Sequence, residues 1–467
     1  MNQPFKPELL SPAGTAKNMR YAFAYGADAV YAGQPRYSLR VRNNEFNHLD
    51  IMANAIDEAH ALGKQFYIAS NISPHNNKVR TYLRDMEAVI DMKPDALIMA
   101  DPGLIMLVRE KWPEMPIHLS VQANAVNYAS VKFWGNQGVS RVILSRELSV
   151  EEMGEIREEC PNMELEVFVH GALCIAYSGR CLLSGYMNHR DPNQGACTNA
   201  CRWKYDAHLA KDTETGDIVP VNPAVAEAQI WTPDTFSPEL AAKVQGNMEG
   251  SHRDDTPVFL LEEQNRPGEL MPAFEDEHGT YIMNSKDLRA VQHVPRLIEM
   301  GIHSLKIEGR TKSHYYVART AQVYRRAIDD AVAGQQFDMG LMAQLDHLAN
   351  RGYTEGFYRR HVPQEYQNYE QGVSSNTNQQ FVGEIKELDN DRGWALVEVK
   401  NRFETGDTME LITPQGNTRF AVEAIENKDG ISVAAAPGSG HFVRIPLPEF
   451  QGLSDDPSFA MLMRHIA

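Results

Sequence analysis

Apolar and polar positions alternate along the first third of the chain in a repeating rhythm. Short apolar runs of strand length lie at residues 8–14 (ELLSPAG), 27–33 (ADAVYAG), 64–71, 95–101, 116–124, 140–147 and 165–171 (LEVFVHG). Between them, apolar residues recur at helical spacing over 15–25, 82–92, 104–111, 130–137 and 150–159. The switch between the two periods predicts βαβ units around a parallel sheet. The runs are apolar on both faces, as buried parallel strands require. An eighth run, HSLKIEG at 303–309, precedes a helical pattern over 313–331. Eight strand–helix units predict a (β/α)8 TIM-like barrel over residues 1–335, in preference to an open doubly wound sheet.

Two segments break the rhythm. Residues 205–275 are rich in Asp, Glu, Pro, Asn and Thr and read as an irregular insertion in the barrel; YIMNS at 281–285 is placed with it. Residues 336–378 form a polar connector rich in Tyr and Arg. From 379 to 467 short strands separated by turn residues predict a small C-terminal antiparallel β-barrel domain.

Composition narrows the function. Hydrophobic content of 43% in 467 residues supports a large core. No run reaches the roughly 20 apolar residues of a membrane span. No secretory signal stands at the N-terminus, so a cytoplasmic, thiol-reducing setting is expected, with no membrane partner. The formal net charge of −17 opposes nonspecific nucleic-acid binding. Any nucleic-acid partner must meet a local basic surface. Oligomeric state is not legible.

Four of the five cysteines, Cys174, Cys181, Cys197 and Cys201, share a 28-residue window with spacing C-x6-C-x15-C-x3-C. That clustering reads as metal or redox chemistry rather than a disulfide framework. Structural zinc usually has tighter pairs, an iron–sulfur cluster needs four thiolates, and buried cysteines can be plain small hydrophobes. The residues leave these three open. There is no HExxH and no GxSxG.

In a barrel, catalytic side chains come from the C-terminal strand ends. Here those ends carry Ser11, Gln34, Asn71, Asp101, Gln122, Arg146, Glu147, His170, Glu308 and Arg310. GRTKS (309–313) starts a helix after the last strand, where barrels often hold phosphate, with Lys306 adding charge. RYSLRVRNNEF (36–46) is a second basic loop at the same face.

The run Glu166-x-Phe168-x-x-Gly171-Ala172-Leu173-Cys174, then Ser178-Gly179-x-Cys181-x-Leu183-Ser184, resembles the signature of the U32 "peptidase" family. ELLSPAG, GADAVYAG, SLRVRNNEF, NSKDL and SLKIEGRTKS are similar to further blocks of that family, so the resemblance covers nearly the whole chain. The length, the CRWKY run and the C-terminal β-domain resemble its tRNA-hydroxylating branch.

The resemblance implies a 4Fe–4S cluster ligated by Cys174, Cys181, Cys197 and Cys201, with Cys160 the one substitute for Cys201. It implies tRNA as partner, hydroxylated at C5 of the wobble uridine, with prephenate, a small dicarboxylate, as co-substrate. The catalytic candidates are then His170, Glu308 and Arg310. Arg42, Gln122, Arg146, Lys286 and Lys306 are the candidates for binding carboxylate, phosphate or base. Tyr177 or Tyr315 would stack on the base, and Arg359, Arg360 and His361 with the C-terminal domain would supply the basic surface. The alternative is a U32-type, collagenase-like peptidase, with Cys174 and His170 as nucleophile and base.

Overall fold

The computed structural model describes residues 5–39, 45–173, 287–346, 348, 353–359, 379–448 and 456–466, together with the backbone of six strands between 205 and 280. Its centre is a closed barrel of eight parallel strands: β1 (Glu8–Pro12), β2 (Ala29–Gly33), β3 (Gln65–Ser70), β4 (Ala96–Met99), β5 (Ile117–Leu119), β6 (Arg141–Ile143), β7 (Glu164–Ala172) and β8 (Ser304–Ile307). Each pairs with the next. β8 closes the ring, meeting β1 at Glu8↔Ser304 and β7 at Ser304↔Glu166.

Helices alternate with the strands: α1 (Ala16–Ala24), α2 (Leu49–Ala61), α3 (Asn76–Asp91), α4 (Pro102–Lys111), α5 (Tyr128–Asn136), α6 (Val150–Glu159), α7 (Val294–Met300) and α8 (His314–Val332). Their starts follow local chemistry. Thr15 caps α1 by accepting from Asn18 N at 3.0 Å. Ser149 and Glu152 form a reciprocal capping box on α6.

The barrel interior departs from the expectation of strands apolar on both faces. Six polar or charged side chains from five strands meet inside it. Glu8 accepts from Arg141 (2.6 Å), Ser304 (2.7 Å) and Tyr67 (2.6 Å). Glu166 accepts from Lys306 at 2.7 Å and lies 3.3 Å from Arg141. The charges are tolerated because each acid has a cation within hydrogen-bonding reach.

The segment between β7 and β8 is more regular than expected. Tyr205–Asp212, Ile218–Pro220, Gln229–Ile230, Val258–Glu263, Glu269–Asp276 and Gly279–Thr280 form one largely antiparallel sheet. Its acidic residues and prolines dilute the period-two signal. Residues 281–285 lie outside the described residues. The neighbouring strand Asp287–Arg289 pairs antiparallel with the end of β7, at Leu288↔Gly171.

The C-terminal domain is a seven-stranded antiparallel sheet containing β9 (Gln379–Asp389), β10 (Thr408–Thr413) and β11 (Met461–His465). Strand β11, unforeseen in the sequence, sits between β9 and β10. The domain is fastened to the barrel. Arg319 of α8 donates to Glu410 of β10 at 3.1 Å, and the Tyr25 hydroxyl donates to Ile412 O (3.1 Å) and Phe459 O (2.8 Å). Glu384 of β9 takes Lys17 at 2.6 Å and His314 at 3.0 Å.

Candidate active site at the barrel mouth

The C-terminal ends of β6 and β8 bring three of the expected polar positions, Arg146, Glu308 and Arg310, towards one mouth, beside Tyr31 of β2 and Phe168 of β7. Arg146 lies 3.5 Å from Glu308, with both side chains about nine-tenths buried. Its guanidinium is 3.9 Å from the centroid of the Phe168 ring. The Tyr31 hydroxyl donates to Ile307 O at 3.0 Å and lies 3.3 Å from Glu308 Oε2. Arg310 reaches across to the second basic loop, donating to Ser38 Oγ (2.8 Å) and Leu39 O (2.7 Å). The two basic segments picked out in the sequence are therefore joined through one guanidinium.

Asn71 and Gln122, just beyond β3 and β5, are joined to the same loop. Asn71 Nδ2 donates to Gln122 Oε1 at 2.9 Å, and Asn71 Oδ1 accepts from Leu39 N at 3.2 Å. Other strand-end candidates are spent locally. Asp101 caps α4 by accepting from Leu104 N at 2.9 Å, and Glu147 accepts from Ser145. Ser313 is the N-cap of α8, accepting from Tyr316 N at 3.3 Å, so its hydroxyl is committed to the helix start.

Lys306 is not at the mouth. It lies in the interior, 3% exposed, paired with Glu166 and 4.3 Å from the Tyr31 ring centroid. Burial pushes its ammonium below the ordinary lysine value, with Glu166 opposing that shift. The ring it faces belongs to Tyr31, whose hydroxyl lies 3.3 Å from Glu308 Oε2.

His170 is also turned away from this group. Its ring packs among Tyr316, Tyr324 and Tyr353, at centroid distances of 5.8, 5.6 and 5.5 Å. Burial pushes its pKa down to about 3, so the imidazole is neutral. Tyr315 stacks on Phe381 of the C-terminal domain, 5.7 Å away at 12° between planes, which makes it a packing residue between domains. Arg359 pairs with Glu355 at 2.8 Å.

Cys174, Cys181, Cys197, Cys201, Arg42, Lys286, Tyr177, Arg360 and His361 lie outside the described residues. Among the described residues, no group of three or more His, Cys, Asp or Glu is arranged to hold a metal ion. In sequence, Cys174 comes two residues after the end of β7. Cys160 belongs elsewhere. It caps the C-terminus of α6, buried, with its Sγ 3.6 Å from Tyr128 O, and β7 starts only after it. A nine-residue strand of about 30 Å separates the two ends. Sequence reasoning missed Tyr31, Phe168 and Ser38. Their signal was present for the first two, since period-two alternation places them in the same layers as Lys306 and Glu308.

No described helix is long and apolar enough to cross a membrane. The model of the Peptidase family U32 matches residues 14–368, and that of its C-terminal domain matches 377–456. The tRNA hydroxylation protein P of Escherichia coli is 61% identical over 464 residues, covering 99% of this chain and 98% of the relative. The protein of the same name from Haemophilus influenzae is 60% identical, covering 100% and 98%. That of Helicobacter pylori is 35% identical, covering 91% and 86%.

Proposed function

Given that this chain belongs to peptidase family U32, we propose that it is a tRNA hydroxylase that replaces C5–H of the wobble uridine by C5–OH. The observation that carries the reading is identity of about three-fifths, over nearly full length on both sides, to two proteins named for tRNA hydroxylation. Identity of that extent spans both the barrel and the C-terminal domain.

In this reading Cys174, Cys181, Cys197 and Cys201 would hold a 4Fe–4S cluster, which supplies one-electron or Lewis-acid chemistry when bound. The direction of the chain supports this. It leaves β7 at the barrel mouth, where catalytic groups of this fold gather. The remaining roles belong to the mouth residues. Arg146 and Arg310 bind the carboxylates of prephenate, for which planar guanidinium groups are suited. Glu308, held by Arg146 and Tyr31, positions Arg146 and takes part in proton movement. Gln122 and Asn71 offer amide groups to the base edge.

The peptidase reading needs His170 as a base near neutrality. A buried imidazole at about 3, enclosed by tyrosines, is poorly matched to that task. The function is tested by mass spectrometry of tRNA nucleosides from a strain lacking the chain. Hydroxyuridine-derived nucleosides should fall and return on complementation. Unchanged nucleosides with no redundant pathway present overturn the proposal. Anaerobic purification should yield brown protein with about four irons per chain; colourless protein with one zinc overturns the cluster.

A further inference from the structure

A cleft of ≈ 600 Å³ lies away from the mouth, between α8, helix α9 (Gly340–Asp346) and the hairpin of β10 with Gly416–Ala421. Its lining includes three guanidinium groups, Arg319, Arg326 and Arg419, against one carboxylate, Glu410. That carboxylate is already neutralised by Arg319 at 3.1 Å. Arg319, Gln322 and Arg326 follow i, i+3, i+7 spacing and share one face of α8, spread over about 10 Å. Gln322 binds the hairpin through Thr413 O (2.9 Å) and Asn417 (3.0 Å), which fixes the two walls together.

Two features point to an anionic ligand. Arg319 is 1% exposed, yet its Nε has no hydrogen-bond partner among the described residues. A buried guanidinium N–H without a partner is costly, so an acceptor seated against this helix face would be stabilised by it. Arg419 is exposed and makes no ion pair among the described residues. Arg326 is exposed and shared with Asp338 (3.1 Å) and Asp330 (3.5 Å) at the rim.

We propose that this interdomain cleft is a docking groove for RNA backbone phosphates, resting on the tRNA reading above. A chain of net charge −17 needs such a local cationic surface to hold RNA at all. The lining carries four amides (Gln322, Gln344, Gln415, Asn417) and no aromatic side chain. It therefore suits phosphate and ribose contacts rather than base stacking. It would grip tRNA away from the reacting base, and the engagement of both walls ties docking to the seating of the C-terminal domain.

The test measures filter binding of an unmodified tRNA transcript to the full chain across 50–200 mM KCl. Arg326→Gln/Arg419→Gln should raise Kd about five- to tenfold at mid-range salt and flatten the log Kd–log salt slope by about 1.5–2. Arg419→Gln alone, which breaks no ion pair, should give about half the slope change, with an unaltered melting temperature. Kd and slope equal to wild type overturn the groove. Titration with inorganic phosphate separates the sources. Variant-sensitive phosphate binding with unchanged RNA binding makes the cleft a small-anion site and overturns the proposal. If the unaltered chain neither binds tRNA nor restores hydroxylated nucleosides, the tRNA reading fails and takes the groove with it. If it does both while the double variant binds equally well, only the groove fails.

Discussion

Lys306 Nζ and Glu166 Oε1 stand 2.7 Å apart inside the barrel, with side chains 3% and 0% exposed. Neither charge has water to fall back on, and Lys306 depends on Glu166 more than Glu166 depends on Lys306. Glu166→Gln should therefore cost about 3–5 kcal/mol in urea unfolding, because it strands a buried ammonium. Lys306→Met should cost less, since Glu166 keeps Arg141 at 3.3 Å. The double variant Glu166→Leu/Lys306→Met should be more stable than Glu166→Gln alone. Additive losses would show that the two do not act as a pair.

Gly171 links the cysteine segment to the mouth. It has φ +102°, and a Cβ there would stand 2.4 Å from Glu308 O. Backbone cannot yield as a flexible side chain would, so Gly171→Ala combines left-handed strain with a displaced Glu308. The expected outcome is a loss of about 2–3 kcal/mol. Activity should fall further than stability explains. Full activity at reduced melting temperature would detach Glu308 from the chemistry.

His170 gives a pH signature. Its folded pKa, about 3, lies below the ordinary histidine value because burial disfavours the imidazolium. The unfolded state thus binds the proton first as pH falls. The stability contributed by keeping His170 neutral is complete above about pH 6.5 and declines from there towards pH 3, by about 1.4 kcal/mol per unit. His118 is shifted in the same direction by its burial, so wild type alone is ambiguous. The gap between wild type and His170→Phe, measured by urea unfolding at pH 7, 6 and 5, isolates His170. It should shift in favour of the variant as pH falls. A pH-independent gap contradicts the assignment.

Arg146 is the mouth residue whose replacement should separate chemistry from folding. It stacks on Phe168 and pairs with Glu308, and both contacts use the planar guanidinium. Arg146→Gln should lower kcat/KM for the proposed carboxylate co-substrate about ten- to hundredfold, the worth of one charge-assisted hydrogen bond. Arg146→Lys should recover only part, because an ammonium lacks the flat fork. tRNA affinity should be unchanged in both. Wild-type kinetics for Arg146→Gln would remove it from the site.

The eight barrel strands were legible because each is a short apolar run closed by turn residues, a signal that survives without tertiary context. The charged interior was not. Arg141 and Glu8 are 133 residues apart, and Lys306 and Glu166 are 140 apart. Only closure of the barrel brings them together. A single charge within an apolar run reads as a strand end, which is how Lys306 came to be expected at the mouth. Arg310 was legible as a mouth residue, but its hold on Ser38 and Leu39 was not, since loop–loop contacts leave no periodicity. Tyr315 was expected to stack on the base, but Phe381 of the C-terminal domain takes its face. Strand β11 was hidden because MLMRH is too short to alternate clearly.

The seam between barrel and C-terminal domain should be weakened by acid through Glu410. Burial alone would raise its pKa, but the charge of Arg319 and hydrogen bonds from Gln379 and Arg319 outweigh this and hold it below the usual value. A carboxylate with a depressed folded pKa contributes stability that is present above the unfolded value, about 4.3, and is lost as pH falls through the folded one. Differential scanning calorimetry should therefore show the C-terminal domain melting progressively earlier as pH drops below about 4.5. Glu410→Gln should already be destabilised at pH 7, because Arg319 then lacks its counter-charge in a buried site. Its further loss below pH 4.5 should be smaller than that of wild type, since the titrating group is gone. Arg319→Leu should separate the melt into two transitions at neutral pH. One unchanged transition in both variants would mean that Tyr25, Lys17 and His314 hold the domains together without the ion pair.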